Sequence, residues 1–164
     1  MLYFAYGSNM SLARLRARVP SALALGQYRL HQHDLRFHKA CHDGSAKCDA
    51  YFTSNVRDVI YGALFNIDPD EKPVLDKAEG LGFGYDEKTV DVLAVDGRPV
   101  RAVTYVATHI DTTLKPYSWY MNHVLIGAQE TALPLEYIET KMISIAVVED
   151  ADSRRDARQR AIHD

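Results

Sequence analysis

The chain opens on an apolar run, Leu2-Tyr3-Phe4-Ala5-Tyr6, that breaks at once into Gly7-Ser8-Asn9. The run has strand composition, and the three residues after it are turn formers. Residues 11–19 space Leu12, Leu15 and Val19 at i, i+3 and i+7, one face of a short helix that Pro20 stops. Strands are expected within 27–38, 47–53 and 59–67, and the last (VIYGALFNI) is apolar almost throughout, as a buried strand should be. DPDEKPVLDKAEG (68–80) carries helix signals: Asp68 as N-cap, Pro69 at the first helical position, Glu71 to complete a capping box and Gly80 as terminator. Residues 89–108 alternate on both sides of Asp96-Gly97, which predicts a hairpin. Helical patterns follow at 119–130 and 134–145, and the mixed-charge segment 149–164 reads as a solvated helix or a frayed end. Strands come first and helices mostly later. That order predicts α+β, with a largely antiparallel, barrel-like sheet and flanking helices.

Length and charge narrow the picture. The 164 residues suit one compact domain, taken as 1–148 with a charged C-terminal tail at 149–164. A formal charge of -3 and the lack of a long apolar run give no reason to expect nucleic-acid or membrane partners. Cys41 and Cys48 make no disulfide framework, and the first residues carry no basic leader, so a reducing cytoplasm is expected.

The candidate chemistry begins at the turn. A strand that ends in Gly7-Ser8-Asn9 and enters a helix exposes backbone N–H groups that can hold an anion, although Ser and Asn are also the ordinary residues of a helix cap. Glu79 sits at the C-terminal end of the 68–80 helix, where the macrodipole disfavours a carboxylate, and it follows Leu75 by four positions on the same face. A local rule broken without compensation points to function, here a general base. His31, His33, His38, Cys41, His42 and Cys48 crowd one stretch, but their spacing matches no usual zinc pattern, so no metal is expected. Ser8 as a nucleophile lacks the G-x-S-x-G setting. Among ten tyrosines, Tyr3, Tyr6, Tyr120 and Tyr137 are candidates for a polar pocket wall as well as for packing.

Three blocks in order resemble the γ-glutamylcyclotransferase family: LYFAYGSNM (2–10), LDKAEG (75–80) and GAQETALPLEYIE (127–139). The resemblance covers roughly residues 1–145. It implies a small mixed β-barrel and cyclisation of a γ-glutamyl amino acid or amine to 5-oxoproline, with release of the amino acid or amine. It places the catalytic carboxylate at Glu79 and substrate contacts at Tyr3, Phe4, Ala5, Tyr6, Gly7, Ser8, Asn9, Tyr120 and Tyr137. No cofactor is implied, and the expected partners are the small-molecule substrate and, as a homodimer, a second copy. Trp119-Tyr120 suggests an aromatic leaving-group side, and GLGFGYDEKTV (80–90) a loop that shapes specificity. Other readings are a non-catalytic binding module of this fold, a cyclotransferase for a γ-glutamyl-capped biosynthetic intermediate, and a serine hydrolase.

Overall fold

The computed structural model describes all 164 residues. The sheet is a closed barrel of β1 (Leu2–Ala5), β2 (Leu23–His31), β5 (Val59–Asn66), β6 (Tyr85–Leu93) and β7 (Pro99–Ala107), in the order β1-β5-β2-β6-β7. Every pairing is antiparallel except the closure, where β1 meets β7 in parallel at Tyr3 and Val103. The barrel is therefore mixed, and it removes the exposed strand edges an open sheet would leave. A separate antiparallel ribbon joins β3 (His33–Ala40) to β4 (Ala46–Phe52).

The pattern anticipated most of these elements, with informative departures. The strand expected over 27–38 is broken at Gln32, whose φ of 60° sends the chain out of the barrel and into the ribbon. Gln32 is held there by its backbone N–H, which donates to the Asp58 carbonyl, and by its own carbonyl, which accepts from Thr53. The hairpin turns at Asp96-Gly97 as expected, but its first strand starts earlier, at Tyr85. The glycine-rich segment before it is a tight turn, with the Phe83 and Gly84 amides donating to the Gly80 carbonyl.

Helices cover the barrel. The first is short: α1 (Leu12–Arg16) follows a 3-10 turn at Ser8–Met10. α2 (Lys72–Glu79) is preceded by a 3-10 turn capped by Asp68, whose side chain accepts from the Asp70 amide. The capping box does not close, because the Glu71 carboxylate instead takes both the amide and the hydroxyl of Ser21. Gly80, at φ 68°, ends α2 in the left-handed conformation that costs glycine least. α3 (Ser118–Glu130) carries seven buried residues. The next predicted helix is α only over α4 (Leu135–Ile138) and widens to a π-turn over 139–143.

The tail does form a surface helix, α5 (Ser153–Arg160), but it is anchored rather than frayed. Asp150 accepts from Trp119 Nε1 at 2.8 Å and from Arg155, Arg14 donates to Gln159 at 2.6 Å, and His123 lies 2.6 Å from His163. These contacts tie the tail to α1 and α3. No helix is long and apolar enough to cross a membrane.

Candidate active site

β1 delivers Gly7-Ser8-Asn9 to the barrel's end, and the following turn closes when the Met10 amide bonds to the Gly7 carbonyl at 3.0 Å. The amides of Gly7, Ser8 and Asn9 find no acceptor elsewhere in the chain. Such a row of outward N–H groups is an anion cradle. It is braced from behind by α3. Gly127 packs so closely that a Cβ there would lie 2.3 Å from the Ser11 nitrogen, and Glu130 accepts from the Leu12 amide at 2.8 Å. The third sequence block thus supports the first.

Glu79 reaches the same place from the other side. Leu75, fully buried, pins α2 to the core one turn earlier. Glu79 Oε1 accepts from Asn9 Nδ2 at 2.8 Å and from the Arg18 guanidinium at 3.0 Å. Asn9 also donates to the Tyr3 hydroxyl at 3.0 Å and accepts from Arg18 at 3.1 Å. One carboxylate oxygen is therefore fixed by two donors, while Oε2 takes no hydrogen bond from the protein and is left for a proton.

Cradle and carboxylate share one hollow. From the predicted set it is lined by Tyr3, Tyr6, Gly7, Ser8, Asn9, Glu79 and Tyr120, and it adds Cys48, Tyr85 and Tyr105. The phenols are locked by backbone: Tyr6 donates to the Tyr105 carbonyl at 2.5 Å, Tyr85 to the Cys48 carbonyl at 2.7 Å, and Tyr120 accepts from the Cys48 amide at 3.0 Å. Burial pushes the Tyr3, Tyr6, Tyr85 and Tyr120 hydroxyls above the usual phenol range, so they remain neutral. The Tyr120 hydroxyl, already an acceptor, lies beside the Cys48 thiol at the wall of the hollow. Burial likewise pushes the Cys48 thiol up to about 12, which leaves it a packing group rather than a nucleophile. Beneath the cradle lies Arg14, 7% exposed, its guanidinium pushed down to about 10 by burial and then by repulsion from Arg18. Glu79 already pairs Arg18, so Arg14 is the surplus positive charge behind a ring of neutral phenols, and it favours an anionic ligand.

Three predicted contacts fall outside the hollow. Strand alternation turns the Phe4 side chain toward Gly62, and Ala5 is spent on pairing with Ala63 in β5. Tyr137, in α4, stacks edge-on against Tyr61 at 5.0 Å between centroids and buries its hydroxyl without a partner. Trp119 likewise faces the tail through Asp150, so only Tyr120 of that pair reaches the hollow. Ser8 has no histidine beside it: the hollow contains none, and His38 and His123 are engaged with Asp49 and His163. The serine-hydrolase reading therefore lacks its base. Sequence reasoning missed Arg18, Tyr85 and Tyr105. Arg18 lies within 11–19, a segment read only for its apolar face, and just past the observed α1; the tyrosines lie in a hairpin whose pocket-facing side is set by barrel closure.

Comparison with known proteins places the chain among its relatives. Residues 59–140 match the AIG2-like family. The chain is 31% identical over 152 residues to a curated γ-glutamylcyclotransferase of Bos taurus, covering 88% of this chain and 78% of that one. It is 30% identical to the γ-glutamylcyclotransferase of Homo sapiens, covering 84% and 75%. A solved γ-glutamyl cyclotransferase superposes with a TM-score of 0.84 at 26% identity, over 96% of each chain.

Proposed function

The chain belongs to the γ-glutamylcyclotransferase family, and from that premise we propose that it cyclises a γ-glutamyl amino acid or amine to 5-oxoproline. The nucleophile is the substrate's own α-amine and the electrophile its own γ-carbonyl carbon. Closing a five-membered ring within one molecule needs positioning above all, which can supply roughly 7–11 kcal/mol of the barrier. It also needs a base, because an α-ammonium with a pKa near ~8 cannot attack while protonated.

Glu79 Oε2 takes that proton. The amine nitrogen bonds to the carbonyl carbon, and the negative charge moves to the carbonyl oxygen. Glu79 gives that proton to the leaving nitrogen and takes the second, surplus proton from the new ring nitrogen; the carbonyl re-forms as the original amide C–N bond breaks, and the departing amine carries the second proton away as an ammonium. No water is consumed, and the chemistry as written needs no metal, cofactor or covalent enzyme intermediate. The cradle amides and the Tyr120 hydroxyl serve the anionic oxygens of the substrate. Arg18 and Asn9 keep Glu79 aimed.

The observation that carries the reading is the convergence of Glu79 and the turn on one hollow, with Asn9 Nδ2 2.8 Å from Glu79 Oε1. The test is 5-oxoproline release from a panel of γ-glutamyl dipeptides and amines, with wild type and Glu79→Gln. Loss of turnover by about 10²–10⁴-fold, with circular dichroism unchanged, is expected for removal of a general base. Turnover retained in Glu79→Gln removes that residue from the mechanism.

A further inference from the structure

A second, wider groove adjoins the hollow and shares Glu79 with it. Its walls carry Lys39, His42, Lys77 and His109, with Glu79 as their one acid. Lys39 stands apart among them. It is 6% exposed, yet it has no acid partner, whereas Lys47, Lys72 and Lys141 each hold one. Buried lysines are rarely left without a partner.

Its position is built by the fold. A bulge in β3 between Phe37 and Lys39 breaks the alternation of the ribbon, so His38 and Lys39 are both buried. His38 turns to Asp49 at 2.8 Å. Lys39 Nζ lies 4.8 Å from the centre of the Tyr85 ring, a wall of the catalytic hollow. A Cβ on Gly84 would come within 2.9 Å of that nitrogen, so the missing side chain makes room for it. Bulges beside active sites commonly re-aim one side chain in this way.

We propose that Lys39 is the selector for the leaving group: its ammonium takes an acid group carried on the departing amine. This rests on the cyclotransferase reading above. A leaving group that bears a carboxylate in this groove lies near Glu79, whose like charge Arg18 offsets only in part. An ammonium without a competing acid, in a groove with further basic side chains, reverses the balance. Compounds whose leaving amine is neutral gain nothing from it. Lys39 therefore sets specificity and takes no part in proton transfer.

The matched substrates are γ-glutamyl-alanine and γ-glutamyl-ethylamine, which differ by one carboxylate. Wild type should favour the former in kcat/KM by roughly 10–100-fold, mainly through KM, as for a hydrogen bond to a charged group. Lys39→Met should bring the ratio to near one, and Lys39→Arg should restore most of it. Gly84→Ala, which crowds the ammonium without removing its charge, should lower the ratio as well. Equal kcat/KM for the two substrates in wild type, or an unchanged ratio in Lys39→Met, overturns the proposal even though 5-oxoproline forms. If no γ-glutamyl compound yields 5-oxoproline, the cyclotransferase reading fails and this inference with it. Should Lys39→Met not fold, Gly84→Ala carries the test: an unchanged ratio in that variant overturns the role of Lys39.

Discussion

Replacing Asn9 with leucine tests how the base is held. The substitution keeps the side chain's volume but deletes its amide, and with it the bonds to Glu79 at 2.8 Å, to Tyr3 at 3.0 Å and from Arg18 at 3.1 Å. Two of these involve a charged partner, worth about 1.5–3 kcal/mol each, and the third is a neutral pair worth about 1 kcal/mol. Asn9 is 5% exposed, so water cannot readily take over. Arg18 still holds Glu79 Oε1 at 3.0 Å, which limits the loss. A net destabilisation of about 3 kcal/mol follows, and a chain of this size should then melt roughly 6–12 °C lower. The effect on turnover is separate. With one of two anchors gone, the carboxylate drifts, and misplacement by about 1 Å can cost roughly 10²-fold. The assay is 5-oxoproline release at saturating substrate and at a temperature where both proteins are folded. kcat should fall by about 10²-fold while KM moves much less. In a Glu79→Gln background the same change should cost almost no further activity, because the group it positions has been disabled. A kcat within threefold of wild type, or full additivity with Glu79→Gln, would refute the claim that Asn9 acts through Glu79.

Two further outcomes follow from buried groups. Burial, and next the charge of Arg14, pushes the His123 imidazole down to about 3 from an ordinary 6.5. The unfolded chain therefore binds a proton there that the folded chain refuses, so this contribution is complete above pH ~6.5 and is lost as the pH falls toward ~3. Between pH 7 and 4 it amounts to on the order of 2–3 kcal/mol, and His123→Gln should flatten urea-derived stability against pH by about that much; parallel curves for the two proteins would contradict it. Cys48 is 2% exposed with its thiol pushed up to about 12, while Cys41 is only partly buried. Thiol titration of the native protein at pH 8 should find Cys41 alone, and the second thiol should appear only with denaturant; rapid native labelling of Cys48 would show that the wall of the hollow opens.

Much of the site was legible because its parts are local. Gly7-Ser8-Asn9 after an aromatic strand announces a turn with free amides wherever the strand ends. Asp68, Pro69 and Gly80 bound a helix whose end must carry Glu79. The Asp96-Gly97 turn makes a hairpin of its flanks. Each signal acts over a few residues, through backbone conformation and side-chain period.

Membership of the hollow was decided by contacts between residues distant in the chain. Barrel closure through the parallel pairing of Tyr3 with Val103 sets beside the turn the hairpin that carries Tyr85 and Tyr105. The left-handed backbone at Gln32 sends β3 and β4 out of the barrel, and β4 brings Cys48 to the hollow. The packing of α4 on Tyr61 withdrew Tyr137, although its motif places it beside residues that brace the turn. By itself, then, the sequence determined which groups the chain has for this chemistry and the local shape of each segment. Only the tertiary structure decided which of them face one another, because strand and helix periods give two faces to every element and long-range packing chooses between them.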